Sequence, residues 1–343
     1  MLNKSLLTWE RAANGADEKM KGARVKEPFE WEVIELDKPQ AGEGQMLVRM
    51  EQVAICGSDF PDYCGVCPQY PLLPGGSGHE GIGIVEQCQS GTYEEGARVL
   101  LWGFDRERGL FQEYVSTRDK GLLLLPMDQP RERVLMSQLL GTVLRCFRKL
   151  GNLLDQKIVV LGQGPAGQLF TGVLRNLGAK QIIVVDPLEY RLAVSRQMGA
   201  THAVNPDSVD VVEAVRQITD GDMADVVVEV VGGEDTYGQC LDLTHRFSTV
   251  VCFGVPDKEN HAGVIKLPMM EMQRRELKLV LSVNYGDNPY ADYALALDWI
   301  VQGRLDVEPL VSHVLPFANI QRGFELAVDK PIADEALKVV LEF

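Results

Sequence analysis

The segment Lys157-Ile-Val-Val-Leu-Gly162-Gln-Gly164-Pro-Ala-Gly167 joins an apolar, strand-like run to an amphipathic stretch through glycines spaced G-x-G-x-x-G. Gly162 permits the tight turn, Gly164 lets a pyrophosphate approach the backbone, and Gly167 allows a helix to pack closely on the strand. The helix opened by Pro165 and Ala166 then points its N-terminal amides at the phosphates. The match gains force from context, because Ile182-Ile-Val-Val-Asp186 ends the next strand. Asp186 stands at about the 20-residue spacing expected of a carboxylate that holds a ribose diol. Such a carboxylate repels a 2′-phosphate, so NAD is expected over NADP. Pro187 supplies no cation, and Arg191 is left either to cover the adenine or to rescue a 2′-phosphate.

The rest of the chain divides into two textures. From Lys157 onward, apolar runs (Ile158–Leu161, Gln181–Val185, Thr201–Val204, Asp225–Val231, Thr249–Phe253 and Leu277–Val283) alternate with helix-length segments. That pattern predicts a doubly wound parallel sheet of six strands, buried on both faces. Residues 29 to 120 instead show short period-two stretches between turn signals: Phe29–Val33, Met46–Ala54, Gly81–Val85 and Ala97–Leu101. They predict an antiparallel, barrel-like region with long loops. A helix over Tyr290–Gln302 and a last strand within Ala336–Phe343 follow. The fold class expected is α/β, and 343 residues suffice for about two domains.

Composition excludes several alternatives. With 45% hydrophobic residues and no low-complexity tract, disorder is ruled out as a main theme. A net charge of −15, from 34 basic against 49 acidic residues, disfavours nucleic acid and anionic lipid as partners. No apolar run approaches the 18 or so residues of a membrane span, and the charged start is unlike a signal peptide. The seven cysteines are odd in number and scattered, so reduced thiols in a soluble, cytoplasmic protein are expected.

Two segments of the barrel-like region carry metal-ligand chemistry: Cys56-Gly-Ser58-Asp59 and Gly78-His79-Glu80. A thiolate, an imidazole and a carboxylate are ligand types that zinc accepts. With the downstream glycine motif, with Gly109-Leu-Phe-Gln-Glu-Tyr-Val115, and with Met198–Asn205 and Asp225–Gly232, the chain resembles the zinc-dependent medium-chain dehydrogenase/reductase superfamily over nearly its whole length. The resemblance implies a GroES-like antiparallel β-barrel catalytic domain from residues 1–150 and 285–343, with a Rossmann NAD-binding domain, residues 151–284, inserted between its parts. It implies hydride transfer between an alcohol or its carbonyl and a nicotinamide cofactor, with one catalytic zinc per subunit. Cys56 and His79 are then zinc ligands, and Glu80 is a ligand or a close neighbour. Gln138, where the family places its remaining ligand, is a neutral oxygen ligand or holds water. Ser58 is the first proton acceptor, and Asp59 accepts a hydrogen bond from His79. Thr142 packs near the nicotinamide, Val231, Phe253 and Val283 complete the cofactor contacts, and Tyr63, Trp102, Phe111 and Asn284 line the substrate pocket. By analogy the chain is a homodimer or homotetramer joined through Leu277–Val283.

The chain also departs from the family pattern. Pro61 stands where relatives often end the proton relay with a His, so the proton must exit through ribose hydroxyls, water or Asp62. Val99–Gly109 is too short, and lacks the cysteines, for the lobe that binds structural zinc in many relatives. Cys64 and Cys67 form a C-x-x-C without a second pair. Arg145 replaces a common His and either meets an anionic substrate or caps its helix, the latter being favoured. The polar stretch Ala12–Lys26 reads as an insertion in the first hairpin. A secondary alcohol that is polyol-, sugar- or cyclitol-like is the expected substrate. The alternatives are a zinc-free NADPH-dependent quinone or enone reductase, against which Cys56, His79, Glu80 and Asp186 argue, and a catalytically silent NAD-binding relative.

Overall fold

The computed structural model describes residues 18–66, 69–102, 109–118, 121–256, 263–282, 288–329 and 334–343. The chain opens with a hairpin of β1 (Lys19–Glu27) and β2 (Glu30–Asp37). The later part of the polar stretch Ala12–Lys26 is therefore strand, and the part before residue 18 lies outside the described residues. Next come β3 (Gln45–Ala54), α1 (Phe60–Tyr63), β4 (Glu80–Cys88), β5 (Arg98–Trp102), β6 (Tyr114–Arg118), β7 (Leu123–Leu125), α2 (Arg131–Leu135) and α3 (Ser137–Phe147). The alternating section is β8 (Lys157–Leu161), α4 (Pro165–Asn176), β9 (Gln181–Val185), α5 (Glu189–Met198), β10 (His202–Val204), α6 (Val211–Ile218), β11 (Ala224–Glu229), α7 (Glu234–Asp242), β12 (Thr244–Cys252), α8 (Met269–Arg274) and β13 (Lys278–Leu281). The chain closes with α9 (Pro289–Val301), β14 (Val311–Pro316), α10 (Ile320–Asp329) and β15 (Lys338–Glu342).

The alternating section forms the expected six-stranded sheet in the order β10-β9-β8-β11-β12-β13, with every pairing parallel. Runs such as Ile158–Leu161 and Ile182–Val185 are buried along their length, because helices cover both faces. Phe170, Val143 and Trp299 fill one side, and Val215, Cys240 and Leu243 the other. The strand order reverses between β8 and β11, and sheets of this kind bind ligands at such a switch point, beyond the strand carboxyl ends. The glycine turn follows β8 at that place.

The second sheet runs β14-β15-β3-β4-β5-β7, with β6 also pairing with β3. All its pairings are antiparallel except β14 with β15. The tail strand β15 sets Val340 opposite Ala54, and Ile55 N–H donates to Val339 O at 3.0 Å. The end of the chain thus lies against the segment leading into Cys56. Two residues expected at the substrate pocket pack into this region. Phe111 and Tyr63 are buried in the core of this region against Phe324, with ring centroids 5.7 and 5.0 Å away. Short apolar-rich segments present side chains to both faces, and these two turn inward.

Candidate active site

Cys56 ends the extended segment after β3 and begins the single turn Gly57–Asp59. Asp59 folds back, its Oδ2 accepting the Cys56 N–H at 2.8 Å, and this fixes the backbone that carries the thiol. Asp59 is wholly buried, and its Oδ1 lies 3.1 Å from His79 Nδ1. The same Nδ1 lies 2.9 Å from the Ser77 carbonyl oxygen. Acceptors on that side place the proton of the neutral ring at Nδ1, so that Nε2 carries the lone pair whenever the ring is uncharged. Ser58 Oγ stands 3.1 Å from His79 Nε2 and 3.3 Å from Cys56 Sγ. Burial opposes charging of His79, yet Asp59 and Cys56 together raise its pKa well above the ordinary value.

Glu80 opens β4 beside His79, and the ligand atoms of Cys56, His79 and Glu80 lie within 4.8 Å of one another. One carboxylate oxygen of Glu80 is bound to Lys338 Nζ at 2.5 Å, with both residues buried. The ion pair overcomes the desolvation of the ammonium and holds the Lys338 pKa above its usual value. Glu80 Oε1 is buried without a hydrogen-bond partner. So is Gln138 Oε1 on α3, while Gln138 Nε2 donates to Tyr293 Oη at 3.3 Å. Tyr293 packs against Trp102 with centroids 4.8 Å apart, and Trp102 stands opposite Glu80 in the β4–β5 register. Trp102 is therefore beside the cluster, as expected of a pocket residue. Asn284 and Val283 lie outside the described residues, as does Cys67. Lys338 was not singled out in the sequence. Its one signal there is a lysine directly before the apolar run Val339–Leu341 of the terminal strand.

In the glycine turn after β8, Gly162 has φ +93°, which a side chain disfavours, and a Cβ on Gly167 would lie 2.0 Å from the Gly162 carbonyl oxygen. A Cβ on Gly164 would meet nothing nearer than Arg191 Nη1 at 3.8 Å, so the backbone there is open to a ligand. Asp186 is buried, with Oδ2 accepting Gln163 N–H at 2.7 Å and Oδ1 accepting Leu188 N–H at 3.0 Å. Arg191 Nη1 is 3.7 Å from Asp186, and Nη2 donates to Ala336 O at 3.3 Å. Val231 is set against Gly162, and Phe253 packs on Phe170 at 5.0 Å. Thr142, one turn beyond Gln138 on α3, is buried and donates to Leu139 O at 2.7 Å. Arg145 stands in the last turn of α3, where a cation suits the helix dipole, and its Nε has no hydrogen-bond partner. Burial pushes the thiols of Cys146 and Cys252 up to about 11, which keeps them protonated and unreactive.

Two family models match this architecture: the alcohol dehydrogenase GroES-like domain over residues 42–127 and the zinc-binding dehydrogenase over residues 165–302. The L-threonine 3-dehydrogenase of Caldanaerobacter subterraneus subsp. tengcongensis is 22% identical over 87% of this chain and 92% of its own length. The solved alcohol dehydrogenase of Thermus sp. ATN1 is 26% identical with a TM-score of 0.82, covering 94% of this chain and all of its own. An alcohol dehydrogenase of E. coli CFT073, solved with NADH, has a TM-score of 0.80 at 20% identity, covering 95% of this chain and 99% of its own. The chain belongs to the zinc-dependent medium-chain dehydrogenase/reductase superfamily. It is an oxidoreductase of the alcohol dehydrogenase type that uses a nicotinamide dinucleotide and a small-molecule substrate. Among the described residues, no helix is long and apolar enough to cross a membrane.

Proposed function

We propose that this enzyme oxidises a secondary alcohol of polyol, sugar or cyclitol type with NAD, or reduces the corresponding carbonyl, using one zinc ion held by Cys56, His79 and Glu80 with Gln138 beside them. The observation that carries this reading is the buried, partnerless Glu80 Oε1 in the cluster of Cys56, His79 and Glu80, with a second such acceptor, Gln138 Oε1, on α3. Unpaired buried acceptors are costly, and a cation among them offsets that cost. The donor set of one sulfur, one nitrogen and carboxylate oxygen suits zinc. When bound, zinc supplies Lewis acidity that makes a substrate hydroxyl easier to ionise and polarises the carbonyl in the reverse direction.

The chain's own residues do the remaining work. Ser58 Oγ, within hydrogen-bond reach of the cluster, accepts the substrate hydroxyl proton and passes it to solvent, since Pro61 offers no imidazole. Asp59 holds His79 in the tautomer that turns Nε2 inward. Trp102 walls the substrate side, and Thr142 bounds the nicotinamide. Asp186 accepts the adenosine ribose hydroxyls and disfavours a 2′-phosphate. L-threonine 3-dehydrogenase, by its name, acts on a secondary alcohol, which supports the substrate class. The test is a panel of polyols, sugars and short secondary alcohols with NAD and NADP, following nicotinamide reduction and bound zinc. Activity with NAD that disappears on chelation and returns with zinc is expected. Full activity after complete zinc removal overturns the reading.

A further inference from the structure

The residue between the first two glycines, Gln163, is wholly buried, although the turn that carries it faces the crevice. Its side chain points beneath the turn, where Oε1 lies 3.1 Å from Thr171 Oγ1 on α4 and 2.9 Å from Ser195 Oγ on α5. Nε2 donates to the Gly162 carbonyl at 2.9 Å. Its backbone N–H donates to Asp186 Oδ2 at 2.7 Å, and its carbonyl accepts from Gln168 Nε2 at 3.1 Å. Gln168 Nε2 also donates to the Arg191 carbonyl at 2.8 Å. One residue thus ties together the glycine turn, α4, the end of β9 and α5, the four elements that bound the nucleotide crevice.

Filling space does not account for this amide. A leucine or methionine of similar volume would fill the site without the desolvation cost that a buried amide carries. What the amide adds is direction, because a buried amide with partners on both its oxygen and its nitrogen is held in one arrangement. The member with a functional consequence is Asp186. Two backbone N–H groups, from Gln163 and Leu188, fix its carboxylate. A carboxylate so held presents its remaining lone pairs to a ribose diol and cannot swing aside for a 2′-phosphate.

We propose that Gln163 is a positioning residue that sets cofactor affinity and the preference for NAD over NADP by anchoring the turn that orients Asp186. The selectivity part rests on the NAD reading above. The effect passes through neighbours, and the Gln163 side chain itself touches no cofactor atom.

The test is fluorescence titration of the zinc-loaded full-length enzyme with NADH and NADPH, which needs no knowledge of the alcohol substrate. Gln163→Leu should raise the NADH dissociation constant about tenfold, the cost of one to two neutral hydrogen bonds. NADPH binding should change by less than about threefold, because Asp186 already repels it and gains room to move, so the ratio of the two constants contracts. Thr171→Val, nearly isosteric, should raise the NADH constant about threefold, while Thr171→Ser, which keeps the hydroxyl, should stay within twofold. If Gln163→Leu fails to fold, the Thr171 pair and Ser195→Ala decide the matter. A folded Gln163→Leu protein with an unchanged ratio of NADH to NADPH affinity overturns the proposal, and so does an equal response of Thr171→Val and Thr171→Ser. A wild-type enzyme that binds NADPH more tightly than NADH instead overturns the NAD reading, and the NADH response of the variants still judges the anchoring role.

Discussion

Beneath the glycine turn, the side chains of Gln163, Thr171 and Ser195 are fully buried and hydrogen-bonded to one another. In the cluster of Cys56, His79 and Glu80, the buried Glu80 Oε1 has no hydrogen-bond partner, and neither has the buried Gln138 Oε1 on α3. The Gln163 amide finds all its partners within the chain, although Gln168 Oε1 beside it has none, whereas a cation in the second region would offset the desolvation of its acceptors. The contrast predicts that the two sites respond independently. His79→Ala should abolish stoichiometric zinc and lower turnover on the order of 10³-fold or more, since several kcal/mol of charge stabilisation is lost. NADH affinity should stay within about threefold of wild type, because no hydrogen bond under the glycine turn depends on the metal. Metal analysis with NADH titration checks this, and collapse of NADH binding in the metal-free protein breaks the comparison.

Lys338 is the point where the second region is partly completed. Its ammonium satisfies one oxygen of Glu80 and leaves the other without a partner. Removing one partner of a buried ion pair costs about 3–5 kcal/mol, because a carboxylate is left uncompensated. Lys338→Met should therefore destabilise the metal-free protein by about that amount, and the zinc-loaded protein by less, since the cation takes over part of the compensation. Urea unfolding with and without zinc measures both values. Equal destabilisation in the two states would mean that Glu80 faces Lys338 alone.

The legibility of the two regions in the sequence differs for a related reason. The nucleotide crevice is built from one contiguous run whose requirements are local: a left-handed turn at Gly162, close approach at Gly167 and a carboxylate at the end of the next strand. The positions of Cys56, Asp59, His79 and Glu80 were also readable, because each pair is adjacent or within a single turn. Lys338 was not, since it reaches Glu80 only after β15 returns from the far end of the chain to pair with β3. Gln163 was passed over because its neighbours in sequence are the residues expected to act, while its own partners sit on two later helices. Tyr63 and Phe111 were assigned to the pocket, yet both pack inward on Phe324. An aromatic residue next to a functional segment does not reveal which face it takes until the packing partner is known.

A smaller effect separates the ligands of the cluster from the residue that aims them. Asp59 does not need to touch a metal to matter, because it holds His79 from the opposite ring nitrogen and caps Cys56 from the same carboxylate. Asp59→Asn keeps the shape but weakens both bonds, and such changes typically lower metal affinity by about 10–100-fold. Competition with a chromophoric chelator reads this directly. Unchanged zinc affinity would show that the Ser77 carbonyl alone orients the imidazole.

The least of these effects tests whether the two regions are joined. Tyr190 on α5 donates its hydroxyl to Ala336 O at 2.8 Å and accepts from Arg191 Nε at 3.2 Å. Ala336 lies two residues before Lys338, so this bond ties the nucleotide side of the crevice to the tail that reaches Glu80. Tyr190→Phe removes one neutral hydrogen bond and leaves the ring in place, at a cost of about 1 kcal/mol in unfolding free energy. If the regions are independent, zinc affinity in this variant is unchanged while NADH affinity falls by at most a few-fold, through the loosened Arg191. A loss of zinc affinity matching the loss of stability would mean instead that the tail transmits strain between the sites and that the two regions form one coupled site.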